Sequence, residues 1–556
     1  MTDANDIADD LKVKFPGFNI KKVMWDAYKR METSTGHRYP ECEQIIKSQQ
    51  SQGALIMDYS GHGARNSISH EIVLQLSDFS SFKNQNLPLW ITASCYVGPF
   101  DGTEDTIGET VLTNPNGGGI AFYGTTRTVY ANYNKHINSA FLDAVLSTTD
   151  GKRTTLGEAN RKAKEVLVTS GMDRTVNKLQ YSLLGDPALA LHVPLQECHV
   201  DSINGIDLND RSATTPQVRA NGKVRVSGYV GTKEAIDTSF NGLVSILVKD
   251  SEEEINCFDN SLEAEKPFVF KDRTKTLFAG VDSVRNGRFE INFVAPKDIN
   301  YSGKSGMITL FAYCQQTQQT AHGMEERFSV GGSEEVFNDS IGPSVFCYLN
   351  SYSFKNGGDV NSKPCFFAEI TDRDGINASG AGIGHDLQLV IDNDVDKTFT
   401  VNDSFTYDFG TYASGKVSYQ LPELEPGAHS LRFRVWDVMN NPSTTTLSFN
   451  VVKGLTPELM DVSFIRNSTG MGTFVVSHNR PGEDVVIDVE IFDTAGRLLH
   501  SIPSTEVSGN TTTLLWDGTT STGKKLSTGI YLYRVNVSCE GSKKASKSKK
   551  MVLITD

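Results

Sequence analysis

Three short apolar runs punctuate the first third of the chain: A-L-I-M at 54–57, L-P-L-W-I at 87–91 and I-A-F-Y at 120–123. Continuous runs of this length, without polar alternation, suit strands buried on both faces of a sheet. Around them the apolar spacing lengthens to that of a helix. Ile7, Leu11 and Phe15 mark a first helix with Thr2 or Asp3 as its cap, and Cys42, Ile45 and Ile46 mark a second over 39–52. Ile107, Val111 and Leu112 fit a short third helix. Two longer helices follow at 133–146 (Ile137, Phe141, Val145) and 155–169 (Leu156, Ala159, Ala163, Val166). Asn19–Trp25 reads as one more strand. The pattern predicts an α/β domain over 1–194, a largely parallel sheet covered by helices. A layer that opens on a helix lacks its first strand, so the chain is expected to be the carboxyl-terminal part of something longer.

From Pro194 the texture changes. Helical spacing gives way to alternating strands between Gly, Asn and Asp turns, as in K-V-R-V-S-G-Y-V from Lys223 and G-R-F-E-I-N-F-V from Gly287. This predicts three Ig-like β-sandwiches, at 195–340, 341–454 and 455–556.

Composition narrows the partners more than the fold. The 556 residues carry a formal charge of −14, which argues against nucleic acid as a partner. No apolar run approaches the ~18–20 residues of a helical membrane span. Eight cysteines are scattered without a C-x-x-C pair, so no zinc site is indicated; Cys347 and Cys365 are candidates for a bridge between neighbouring strands.

Candidate chemistry lies where the first two apolar runs stop, one at His62 and the other at Cys95. A thiol attacks as its thiolate, and an imidazole that takes the proton is the minimum apparatus for acyl transfer. If the two runs are adjacent parallel strands, both side chains sit at their carboxyl ends, where open α/β sheets place ligands. The amides of Gly63 and Cys95 are candidates for the oxyanion hole. Taken singly, Cys95 reads as a buried free thiol and His62 as a turn residue; the pairing is what makes them a site.

The motifs D-Y-S-G-H-G, L-P-L-W-I-T-A-S-C, G-G-G-I-A-F-Y-G-T-T-R and L-L-G-D-P-A-L, in this order between residues 54 and 191, resemble the gingipain-type cysteine peptidases. The resemblance implies a caspase-like catalytic domain, without its amino-terminal part, in which His62 and Cys95 form the catalytic dyad. It also implies an acidic partner for the histidine. Asp3, Asp6 or a residue upstream of Met1 are the candidates, and the role stays open among them.

Other polar residues read as structural. His70 falls in a connection and reads as a surface or substrate-side histidine, and Asp58 as a hydrogen-bonding strand residue. Asp101, Glu104 and Asp105 line the cleft, bind calcium or are simply solvated. T-D-R-D-G at 371–375 misses the EF-hand pattern, because Gly375 follows Asp374 directly, and reads as a glycine-rich turn. No cofactor is expected, and no motif supports calcium.

V-E-I-F-D-T-A-G-R-L-L, then L-L-W-D-G-T-T-S-T-G-K-K-L-S-T-G-I-Y-L-Y-R-V, then K-K-M-V-L-I are similar to the carboxyl-terminal sorting domain of bacterial type IX secretion. Together the two resemblances point to the sortases of that system. They imply a surface endopeptidase and transpeptidase, secreted through the periplasm and associated with the outer membrane. It would remove sorting domains from cargo proteins and pass the cargo to water or to an amine of anionic lipopolysaccharide. An outer-membrane shuttle or anchor protein would be a further partner. A secreted gingipain-like protease of broad range and an inactive surface adhesin are the alternatives.

Overall fold

The computed structural model describes all residues except 35, 172–176, 211, 259, 261–265, 335–338, 380–383, 467–471, 508–509, 540 and 555–556. The tail of the glycine-rich turn at 371–384 therefore lies partly outside the described residues.

The first sheet is built from the expected apolar runs. Strands β1 (Ile56–Ser60), β2 (Leu89–Ala93) and β3 (Ala121–Thr125) run parallel, and β4 (Tyr181–Leu184) adds antiparallel to β3, giving the order β4-β3-β2-β1. Every residue of β2 and β3 is buried, as continuous apolar strands in the middle of a covered sheet must be. Helices α1 (Thr2–Lys14), α5 (Ala131–Leu146) and α6 (Leu156–Ser170) cover one face, where Ile7, Ile137, Phe141, Leu156 and Ala163 meet Leu89, Ile91 and Tyr123. Helices α2 (Pro40–Gln52), α3 (Leu76–Ser81) and α4 (Ile107–Thr113) cover the other, where Cys42, Ile46, Phe79 and Val111 meet Trp90 and Phe122. Thr106 and Thr155 cap α4 and α6 through their hydroxyls, whereas α1 starts at Met1 with neither Thr2 nor Asp3 capping it.

Residues 19–25 depart from the expectation. They form no strand but an irregular segment ending in a 3-10 turn at Trp25–Ala27. Tertiary contacts hold it. The buried Lys22 ammonium donates to Asn5 (2.7 Å), Asp9 (2.6 Å) and the Lys271 carbonyl (3.1 Å), and the Trp25 ring stacks on Tyr59.

The remainder is β. Eight of the strands between Gln196 and Glu325 form one continuous sheet rather than two separate ones, and three short strands of this stretch pair outside it. It curls until Phe278 and Phe293, on its first and last strands, stack 4.8 Å apart around a Val-, Ile- and Phe-rich core. Between Ser344 and Val451 two sheets of four and five strands enclose a second core. Sheets of three and four strands between Leu459 and Leu553 enclose a third, which holds Trp516 and Met551. Cys347 and Cys365 are free thiols: the strand register sets Cys347 opposite Ala368 rather than Cys365. Asp372 accepts from the amides of Asp374 and Gly375 in a turn where Gly375 has φ 122°, as the turn reading requires. Among the described residues no three His, Cys, Asp or Glu side chains gather as a metal cluster, and no helix is long and apolar enough to cross a membrane.

Candidate active site

β1 and β2 are in step along their whole length, with Ile56 opposite Leu89 and Ser60 opposite Ala93. The Gly61 amide continues the pairing to the Ala93 carbonyl at 3.3 Å. His62 and Cys95 each lie two residues past the last paired position, so they leave the sheet side by side at its carboxyl edge. The chain then turns sharply at both places. Gly63–Ala64 pairs with Ser67–Ile68 in a tight hairpin beyond His62, and Tyr96, directly after Cys95, takes a left-handed conformation with φ 58°. A non-glycine residue is uncommon there and must be held in place. The Tyr96 amide donates to the Thr125 hydroxyl at 2.9 Å and to the Arg127 carbonyl at 3.2 Å.

The His62 main chain is fastened twice, by the Tyr59 hydroxyl (2.7 Å) and by the Ser69 amide (3.0 Å), both donating to its carbonyl. Its ring lies flat against His70, with centroids 4.3 Å apart and planes 10° apart. His70 is exposed, but it is a neighbour of His62 rather than a detached surface residue. Nothing in S-I-S-H-E-I announces that placement, which depends on the turn that follows.

The half-buried Cys95 thiol packs against the core under α5. It meets the main chain of Val129, whose amide and carbonyl both lie 3.5 Å from Sγ, rather than the His62 ring. Catalytic hydrogen bonds are often long or unformed without substrate.

Neither amide expected at an oxyanion hole has an acceptor placed against it among the described residues, and the ladder geometry agrees for Gly63. Antiparallel ladders alternate bonded and non-bonded pairs. Since Ser69 donates to His62, Gly63 opposite Ile68 falls at a non-bonded position. Among the described residues no main-chain acceptor is placed against the Cys95 amide. Gly63 has no room for a side chain: a Cβ there would lie 2.7 Å from Val97 Cγ2 and 2.8 Å from Ser94 Oγ.

Acidic residues surround the site without touching His62. Asp3 and Asp6 pair with Lys135 on α5, at 3.8 and 2.5 Å. The Asn138 side-chain nitrogen donates to both oxygens of the Asp58 carboxylate and reaches the Ser60 hydroxyl at 3.5 Å. Asp58 is an exposed residue of the edge strand, yet desolvation by the protein around it is the largest influence on its carboxyl and pushes its pKa up to about 6, against the opposing effects of Asn138 and the Tyr59 amide. Asp101 pairs with Arg127 and Glu104 with Arg65, which pins the loop after Cys95 to the neighbouring segments. The Arg127 guanidinium holds the Asp101 carboxyl below the usual range.

The cleft has a volume of about 830 Å³ and runs along the outer edge of β1. Ile7, Leu11, Phe18, Val23 and Met57 line it, Asp58 projects into it, and His62 and His70 stand at its end; Cys95 is not part of its lining. Among the described residues β1 pairs only with β2.

The two in-step strands thus set His62 and Cys95 at the same end of a sheet that helices cover on both faces. Residues 1–192 match the model of peptidase family C25, and this part of the chain belongs to that family of gingipain-type cysteine peptidases. Residues 465–541 match the FlgD Ig-like domain. Among solved structures, the chain is 31% identical to dimeric latent PorU from Porphyromonas gingivalis, covering 79% of this chain and 41% of that one, with a TM-score of 0.33. It is 13% identical to the Arg-specific cysteine proteinase gingipain R, covering 52% and 56%, with a TM-score of 0.26. The chain thus spans about two fifths of PorU and just over half of gingipain R. No curated protein matches. The family match over residues 1–192 indicates a cysteine peptidase.

Proposed function

We propose that the protein is a cell-surface cysteine endopeptidase and transpeptidase of type IX secretion, with Cys95 as nucleophile and His62 as acid and base. The observation that carries this reading is the register of β1 and β2, which brings both residues to the same end of adjacent parallel strands. In the proposed cycle His62 takes the thiol proton while Sγ attacks the scissile carbonyl. The oxyanion is met by the Gly63 and Cys95 amides, each contributing a factor of about 10²–10³ when aligned. The tetrahedral adduct collapses with breakage of the C–N bond, and His62 returns the proton to the leaving amine. Water or an amine then attacks the thioester with His62 as base. Water gives hydrolysis; an amine of anionic lipopolysaccharide gives a cargo protein joined to the cell surface.

Substrate and place rest on the tail of the chain. The sorting-type motifs around Trp516 support a place at the outer-membrane surface, reached through the periplasm, where cargo proteins bearing the same kind of domain would be its substrates and a shuttle or anchor protein its companion. The step needs only a thiol and an imidazole, so no cofactor is proposed.

The test is a Cys95→Ala chain offered a cargo protein with its sorting domain. Loss of processing, with mass spectrometry locating the cut and any added amine on the wild-type product, supports the reading. Processing at the wild-type rate ends it. Cleavage of generic peptide libraries with a strong preference for one residue type, and no preference for sorting-domain junctions, points to a broad secreted protease instead.

A further inference from the structure

We propose that His70 is a positioning residue for His62, holding its imidazole plane by ring stacking. The inference rests on the acyl-transfer reading for its catalytic meaning, but its geometry stands alone. A base that must meet a thiol needs a third group to fix its orientation. Three of the carboxylates near the site are committed elsewhere: Asp58 to Asn138, Asp3 and Asp6 to Lys135. What meets the His62 ring is the face of His70, 4.3 Å away and nearly coplanar in tilt at 10°.

The turn that carries His70 is fixed from several directions. Ser69 and Ile72 both take left-handed conformations, at φ 65° and 51°. For a β-branched residue this is costly and persists only where the surroundings over-determine it. Here Arg38 donates to the carbonyls of Glu71 (3.2 Å) and Ile72 (3.0 Å), and Val73 donates to Ile68 (3.1 Å). The Ser69 amide ties the turn back to the His62 carbonyl itself. Both rings thus project from one hydrogen-bonded hairpin, whose main chain sets the distance between their points of attachment.

A stack differs in kind from a carboxylate contact. It fixes the plane of the ring while leaving both nitrogens free, so either can face the thiol and the other can face solvent or substrate. Any flat aromatic face should therefore serve at position 70, and a hydrogen-bonding group without a face should not.

The experiment compares His70→Ala, His70→Phe and His70→Asn in the intact chain, with Cys95→Ala as control. The probe is a peptidyl acyloxymethyl ketone: the Cys95 thiolate attacks the methylene carbon, a thioether forms and the carboxylate leaves. Saturation kinetics separate the maximal labelling rate from the half-saturating concentration. His70→Ala and His70→Asn should lower the maximal rate by about ten- to a hundredfold with half-saturation little changed, the scale of a misplaced catalytic group. His70→Phe should stay within about threefold of wild type. His70→Ala at the wild-type rate, or His70→Phe as slow as His70→Ala, overturns the proposal. The NMR ring-current shift of the His62 imidazole gives an independent reading. It should vanish in His70→Ala and persist in His70→Phe, and a His62 resonance unchanged by His70→Ala also overturns the proposal. A wild-type protein labelled no faster than Cys95→Ala, with the ring-current shift intact, would sink the acyl-transfer reading and leave the stack standing.

Discussion

The Asn138 side-chain nitrogen donates to both carboxylate oxygens of Asp58, at 2.9 and 3.1 Å, and so ties the middle of helix α5 to the edge strand of the sheet. The carboxyl it holds has a pKa raised to about 6 from an ordinary value of 3.8. The folded protein therefore binds this proton more tightly than the unfolded chain. The resulting stability is complete below about pH 3.8 and is lost as pH rises through about 6. Asp58→Asn removes that dependence. Thermal unfolding followed at pH 4 and pH 7 should show the variant gaining on wild type at the higher pH, and parallel profiles would contradict the assignment.

Gly63→Ala tests the tight approach beside the dyad. A methyl at this position meets Val97 and Ser94 inside contact distance. Overpacking of this kind costs about 1–3 kcal/mol. The displaced amide should also slow acylation by about 10²–10³. Denaturant unfolding and probe labelling measure the two effects separately, and a variant that keeps full reactivity would remove Gly63 from the proposed oxyanion hole.

Tyr59→Phe removes one of the two donors to the His62 carbonyl and leaves the Ser69 amide in place. The expected loss is about 0.5–1.5 kcal/mol, since the acceptor is not orphaned. Hydrogen exchange should quicken in the hairpin after Gly61 before it quickens in β2. Uniform protection across both would mean that the hydroxyl contributes nothing local.

The dyad strands were legible because burial on both faces demands continuous apolar runs, and β2 and β3 are buried at every residue. Asn19–Trp25 misled because its apolar Ile20, Val23, Met24 and Trp25 suit a short strand, whereas Lys22 turns inward to meet Asn5, Asp9 and a distant carbonyl. No local pattern encodes that. His70 was hidden for a related reason: its stack on His62 depends on two left-handed residues, neither of them glycine, that no turn signal marks. The alternating strands after Pro194 were readable one by one, but not that eight of them curl into a single sheet, which depends on pairings between strands far apart in sequence.

In the last β-unit the buried Arg480 donates to the carbonyls of Leu455, Thr456 and Asn479, and so anchors the segment that enters the unit. Arg480→Leu strands those acceptors and should cost about 2–4 kcal/mol. Because the chain has several cores, one unfolding midpoint will not report it. Hydrogen exchange across Leu459–Arg466 and Gly472–His478 will, and protection unchanged there would show that the guanidinium is dispensable.

The open side of β1 is also a hazard, since unpaired strand edges invite other chains to add to them. Asp58 sits in the middle of that edge with a pKa near neutrality's acid side, at about 6. Above that value its charge guards the edge against self-association. Below it the guard is neutralised, and a mildly acid medium becomes the condition in which copies of this protein would be expected to stick together.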